Sequence, residues 1–318
     1  MGSSICSLAV LLLQGAILPD TQQVSGRVLR PGDRSMVPVS GAWVVLHRVG
    51  PDRAGPLDSL RSDASGRYAF RYLRSGSDDA VYFVSAMHGG IAYFTPPLTE
   101  KRIGGRAGEI AVFDTTSQHV PISIRGHHIV ISAVDAEARR GVVEVFELSN
   151  DSSVTRVALN DRPEGATWTT RLLPEASNFR VTEGDIPADA VAFSDGVVSV
   201  FAPLAPGVKQ LSFAYSVPAT TFPAKVPVGG RTDVYEVLIE DETGSVSGPK
   251  LREMDPVTVE ARSFRRFLAS DIPQNSVAVI DLPRAPARGA IDPRFMVALT
   301  LLIGGAMIAV LARALWRR

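Results

Sequence analysis

Cysteine is almost missing from this sequence: the one residue, Cys6, lies in an apolar N-terminal run. That excludes a disulfide framework and any thiolate metal site. A lipoprotein cysteine is rejected too, because it would follow an apolar stretch, whereas Cys6 precedes one. Excess charge of either sign is absent, with 33 Lys and Arg against 33 Asp and Glu. Such a chain has no overall field to draw in nucleic acid, and no nucleic-acid partner is expected. Long stretches of Ala, Leu, Glu and Lys are missing between the two ends, while 27 glycines and 22 prolines punctuate β-branched and aromatic runs. The expected fold class is all-β.

The two ends differ from the rest. Residues 1–18 read as a signal peptide: Ile5 to Leu18 is almost wholly apolar, with small residues Gly15 and Ala16 for cleavage, although Met1 to Ser4 carries no Lys or Arg. The alternative is a buried N-terminal strand or helix. At the other end Phe295 to Ala312 gives 18 uncharged residues. At 1.5 Å per residue they cover about 27 Å, enough for one transmembrane helix, and a buried core helix is the alternative. Arg313, Arg317 and Arg318 follow it, so the tail 313–318 is expected in the cytoplasm and the bulk outside it. Gly304 and Gly305 would let a partner helix approach. Residues 283–293 hold three prolines without an apolar period and read as a spacer.

From Gln23 to about Asp114, short periodic runs alternate with turn clusters: Val24–Leu29, Ala42–Arg48, Asp58–Ser62, Arg67–Tyr72, Val81–Met87 and Ile91–Phe94. Tyr68, Phe70 and Tyr72 alternate with Ala69 and Arg71, which places three rings on one strand face that must be covered. In the segment from Asp63 to Gly66, Asp63 is suited to capping a turn and Gly66 to a positive φ. The opening Val24–Val28, the run Gly41–Leu46 and above all the Asp-x-x-Gly-x-Tyr-x-Phe pattern at Asp63, Gly66, Tyr68 and Phe70 resemble the carboxypeptidase regulatory-like domain. That resemblance implies a transthyretin-like β-sandwich of the carbohydrate-binding-like group over residues 23–114, serving support or binding more than catalysis. The segment Pro31–Pro38 is longer than the usual loop of that family. Trp43, Tyr82 and Tyr93 are the candidate ligand contacts, as rings that could stack on a sugar, against the reading that they pack in or beside the core.

Residues 121–282 continue the β pattern, with runs at Ile129–Val134, Gly141–Leu148, Thr167–Leu173, Val197–Phe201, Gln210–Val217, Thr232–Glu240 and Pro256–Ser263. A second β-sandwich region is expected, as one domain or two. The glycine pair in Val228–Arg231 reads as a hairpin turn.

No Gly-x-Ser-x-Gly elbow, His-Glu-x-x-His helix or P-loop is present, so no catalytic residue and no cofactor is assigned. His127 and His128 would face opposite sides of a regular strand and so would not share one metal ion. Together with His119, Asp135 and Glu137 they read as solvated groups at a loop edge, and no metal site is assigned. Glu240–Glu242 and Asp185, Asp189 and Asp195 read as solvated turns, since they lack the spacing of a calcium loop. Arg262, Arg265 and Arg266 around Phe264 and Phe267 form a basic stretch that could face anionic lipid. The expected function is a non-catalytic, single-pass membrane-anchored protein whose extracytoplasmic sandwiches bind a protein or a glycan. The alternative is a structural subunit of a membrane complex that meets its partner through the transmembrane helix.

Overall fold

A computed structural model describes residues 21–259 and 262–284. The expected signal peptide (1–18), the spacer from residue 285, the membrane span (295–312) and the tail (313–318) lie outside the described residues. Among the described residues the chain is all-β, its helical segments are short 3₁₀ turns, and no helix is long and apolar enough to cross a membrane. The chain divides into two compact units, the first ending at Val112 and the second beginning at Phe113.

The first unit contains β1 (Thr21–Pro31), β2 (Met36–Pro38), β3 (Trp43–Val49), β4 (Ala54–Arg61), β5 (Arg67–Leu73), β6 (Val81–His88), β7 (Ile91–Phe94), β8 (Arg102–Ile103) and β9 (Ile110–Ala111). One sheet has the order β2-β1-β5, with β8 and β9 pairing parallel to β1, and the other has the order β4-β3-β6-β7. The long segment Pro31–Pro38 is a hairpin, in which β2 folds back on the end of β1 with Leu29 opposite Pro38. Tyr68, Phe70 and Tyr72 are buried, whereas Ala69 and Arg71 face water, as the period of two requires. Leu46, Tyr82 and Val84 of the second sheet are buried as well, and Tyr72 stacks on Tyr82 with 5.2 Å between ring centroids. Burying a ring such as Phe70 stabilises by about 1.5–3 kcal/mol relative to exposure. The Asp63 turn that launches this strand has the expected chemistry. Asp63 Oδ1 accepts from the Ser65 and Arg67 backbone N–H groups, each at 2.8 Å, and Gly66 sits at φ +72°.

The second unit contains β10 (Thr115–Thr116), β11 (Ile122–Ile131), β12 (Arg139–Asn150), β13 (Thr155–Arg156), β14 (Trp168–Arg171), β15 (Ser177–Val181), β16 (Val191–Ser194), β17 (Val197–Val200), β18 (Gly207–Pro218), β19 (Ala224–Pro227), β20 (Thr232–Ile239), β21 (Ser245–Ser247), β22 (Arg252–Val259), β23 (Arg262–Ile272) and β24 (Val277–Asp281). Its main sheet runs β15-β18-β12-β11-β20-β23-β22, antiparallel except for β11 against β20. One face packs on the sheets β14-β17-β16 and β19-β24-β21. All three sheets share one apolar core, with Phe146, Phe213 and Val237 from the large sheet, Val198 and Val200 from one small sheet and Ala278 and Ile280 from the other.

Two expectations need correction here. The run Pro256–Ser263 is not one strand: it covers the end of β22 and the start of β23, which pair with Val257 opposite Phe264. Val228–Arg231 is not a hairpin turn either, because β19 and β20 on either side of it belong to different sheets. A glycine pair marks a change of direction, but only tertiary pairing decides whether the strands it joins are partners.

Candidate binding surface

The strongest surface feature is the outer side of β4-β3-β6-β7. Along β3, Val44, Leu46 and Arg48 point inward and are buried, so Trp43, Val45, His47 and Val49 point outward. Register puts Met87 opposite Trp43, Ser85 opposite Val45, Phe83 opposite His47 and Val81 opposite Val49, while Phe94 of β7 lies opposite Ser85. The imidazole of His47 stacks on Phe83 at 5.1 Å, and Phe83 meets Phe94 edge to face at 5.6 Å, so three adjacent strands carry one row of rings. Phe94 is 57% and Trp43 42% exposed, and Val49, Val81 and Met87 are exposed beside them. At the centre of this face the polar side chains are already partnered. His47 Nε2 and Ser85 Oγ are 2.8 Å apart, and burial holds the His47 imidazole below its usual pKa. At the margin the Arg61 guanidinium lies 5.4 Å from the Trp43 ring centre and donates to the Gly41 carbonyl.

Of the three aromatics singled out in the sequence, only Trp43 belongs to this face. Tyr82 (1% exposed) and Tyr93 (7%) point the other way, into the sandwich. The Tyr82 hydroxyl accepts from the Ser75 N–H at 2.9 Å. Neither ring offers a face to a ligand, because both occupy the inward parity of their strands. The outward row of Phe83, Met87 and Phe94 was missed. Its signal is present in the sequence, since Trp43–Leu46 and Val81–Val84 are apolar at both parities, which a strand with one solvated face does not need.

In the second unit the two histidines do face opposite sides of β11, but they are buried in mid-strand and not solvated at a loop edge. The His127 Nε2–H donates to Glu144 Oε2 at 2.7 Å, and Tyr215 Oη donates to Glu144 Oε1 at 2.6 Å, all within the apolar core. Burial, then the Glu144 charge, pushes the Tyr215 hydroxyl well above its usual pKa. On the other face His128 Nδ1–H donates to Glu236 Oε2 at 2.6 Å, and Arg266 Nε donates to Glu236 Oε1 at 2.5 Å. Burial raises the Glu236 carboxyl, but His128 and Arg266 outweigh it and hold the group below its ordinary value.

The acidic and basic stretches also change their reading. Glu240 accepts from the Ala133 N–H and from Arg262, and Asp241 pairs with the buried Arg140, so these residues brace the sheet and are not solvated turns. Arg262, Arg265 and Arg266 pair with Glu240, Glu253 and Glu236, while Phe264 and Phe267 are buried. A basic stretch neutralised in this way presents no free charge to anionic lipid. Among the described residues, no three His, Cys, Asp or Glu side chains are grouped so as to hold a metal ion. No family model matches this chain, and no curated protein is similar to it in sequence.

Proposed function

We propose that this chain is a non-catalytic scaffold, anchored by residues 295–312 and displayed outside the cytoplasm, whose first unit is a transthyretin-like sandwich that holds a partner protein. The observation that carries this reading is the apolar outer face of β4-β3-β6-β7. Exposed apolar area with ordered rings and no charge inside its border fits the desolvated centre of a protein interface. A glycan fits less well, because sugar hydroxyls need free polar groups beside the stacking ring, and His47 and Ser85 spend theirs on each other. Non-catalytic action is supported by the buried His127–Glu144–Tyr215 group, whose polar atoms are committed to one another inside the core.

The test uses the full chain in its native membranes, with a photo-crosslinking side chain in place of Phe94. A crosslink to one partner polypeptide is expected, and Trp43→Ala with Met87→Ser should abolish it without lowering the melting temperature. Absence of any crosslink, or glycan binding that depends on Trp43, would overturn the proposed partner. Recovery of the uncleaved chain in a salt-washed soluble extract would overturn the anchoring.

A further inference from the structure

The first unit leaves one long strand edge without a break in its ladder. β5 ends its sheet and pairs with β1 over Arg67–Leu73 with no register shift. Other edge strands are interrupted: β4 carries Pro56 beside a shift between Leu46 and His47 of β3, and β15 and β22 have breaks of their own. The remaining edge strands among the described residues have no more than four residues. β1 reaches β5 through alternate residues: the Val28 N–H donates to the Gly66 carbonyl, whereas the Gln23 N–H donates away from β5, to the Lys101 carbonyl. Gly66, Tyr68, Phe70 and Tyr72 therefore bond to β1, and Ala69, Arg71 and Leu73 aim their N–H and C=O groups at the open side. At Arg67 the Asp63 turn takes those groups, and beyond it no described residue does.

We propose that an extended acidic segment of a partner protein adds to the β5 edge as a further antiparallel strand. The sheet face beside that edge is basic. Arg67 and Arg71 stand on the outward parity of β5 with Ala69 between them, and all three are exposed. Arg71 lies opposite Gln23, and Arg67 lies opposite Arg27, whose charge Glu109 takes at 2.7 Å, so neither has an acidic partner across the ladder. The Asp63 carboxylate near Arg67 is spent on the Ser65 and Arg67 N–H groups. Acidic side chains on an added strand would lie opposite Arg71 and within reach of Arg67, and each opposite-charge pair favours that arrangement. The same charges reject a second copy of this chain, because antiparallel pairing of two β5 edges about Ala69 sets Arg67 of one copy against Arg71 of the other. The unit as a whole has the matching sign: residues 21–112 hold 12 Lys and Arg against 8 Asp and Glu. This contact lies on a different sheet from the apolar face of β4-β3-β6-β7 and does not depend on it.

The experiment is fluorescence polarisation of the full chain in detergent micelles with a short fluorescein-labelled peptide alternating glutamate with threonine, beside one alternating lysine with threonine. The acidic peptide should bind and the basic one should not, and binding should weaken as salt rises. Hydrogen exchange should slow at the amides of Ala69, Arg71 and Leu73. Arg71→Glu should weaken binding of the acidic peptide by about threefold to tenfold, and Arg67→Glu with Arg71→Glu should transfer the preference to the lysine peptide. Ala69→Pro removes an N–H that β1 does not use, so it should abolish binding while the melting temperature shows that the sandwich stays folded. Arg102→Gln, on the far side of β1, and Trp43→Ala, on the other sheet, should each leave the affinity unchanged. Absence of binding, or binding without protection of those three amides, would overturn the proposal. A loss in Arg102→Gln equal to that in Arg71→Glu would overturn it in favour of an anion lying across the face, and self-association of the chain through the β5 edge would overturn it in favour of a second copy.

Discussion

Gly66 and Arg140 show how single residues set limits in this fold. Gly66 combines φ +72° with a position where an added Cβ would lie 2.7 Å from the Val28 carbonyl oxygen. Gly66→Ala should therefore destabilise the chain by roughly 1–3 kcal/mol, through strain and the clash together, read from a urea transition. Arg140 has no exposed side-chain surface. It pairs with Asp241 and donates to the carbonyls of Ser132 and Pro283. Arg140→Ala should cost about 3–5 kcal/mol, because the cost of a broken buried pair is the charge left behind, and an Asp241→Asn partner change should recover part of it. A loss under 1 kcal/mol in the same transition would mean that water already satisfies Asp241.

The strands show how the sheets protect their edges and where they leave a face open. In the main sheet β22 is an edge strand, with Pro256 inside a register break between Met254 and Val257, and the opposite edge strand β15 has a break between Ser177 and Arg180. Both interruptions prevent a flat ladder that another chain could extend. Pro256→Thr should raise the aggregation rate on mild heating, measured by light scattering, with little change in melting temperature. In the first unit β3 and β6 are apolar at both parities, so an uncovered side remains even after the sandwich closes. Surface substitutions there should shift stability by no more than about 0.5 kcal/mol.

The whole molecule carries a signature in its pH dependence. Glu236 is held low against burial by His128 and Arg266; Asp63 by the Arg67 N–H and the Ser65 side chain; Asp151 by Ser149, Ser123 and Arg125. A carboxyl with a depressed folded pKa adds stability above its unfolded pKa and loses it as pH falls through the folded one. Glu147 is raised, so its contribution is present below its ordinary value and lost as pH rises through the raised one. Asp52 and Glu253, each hydrogen-bonded to an arginine, are held low as well. Five lowered carboxyls oppose one raised carboxyl at acid pH, and the melting temperature should rise from roughly pH 3 to pH 5. Glu147→Gln should remove the small opposing term, and a flat profile would contradict the assignment. Every strand pairing among the described residues closes within one unit, so a fragment of residues 21–112 should keep the amide protection of β1, β3 and β6.

The all-β class, the burial of Tyr68, Phe70 and Tyr72 and the Asp63–Gly66 turn followed from sequence alone, because periodicity and turn chemistry act over a few residues. The same local rule placed His127 and His128 on opposite faces. What covers each face is decided by strands distant in the chain. Glu144 and Glu236 reach the histidines from β12 and β20, Tyr215 joins Glu144 from β18, and the partners of Arg262, Arg265 and Arg266 sit 12 to 30 residues away. Charge pairing, burial of Tyr82 and Tyr93 and exposure of Phe94 therefore came from tertiary structure, since burial belongs to a pair of surfaces and a sequence shows only one of them at a time.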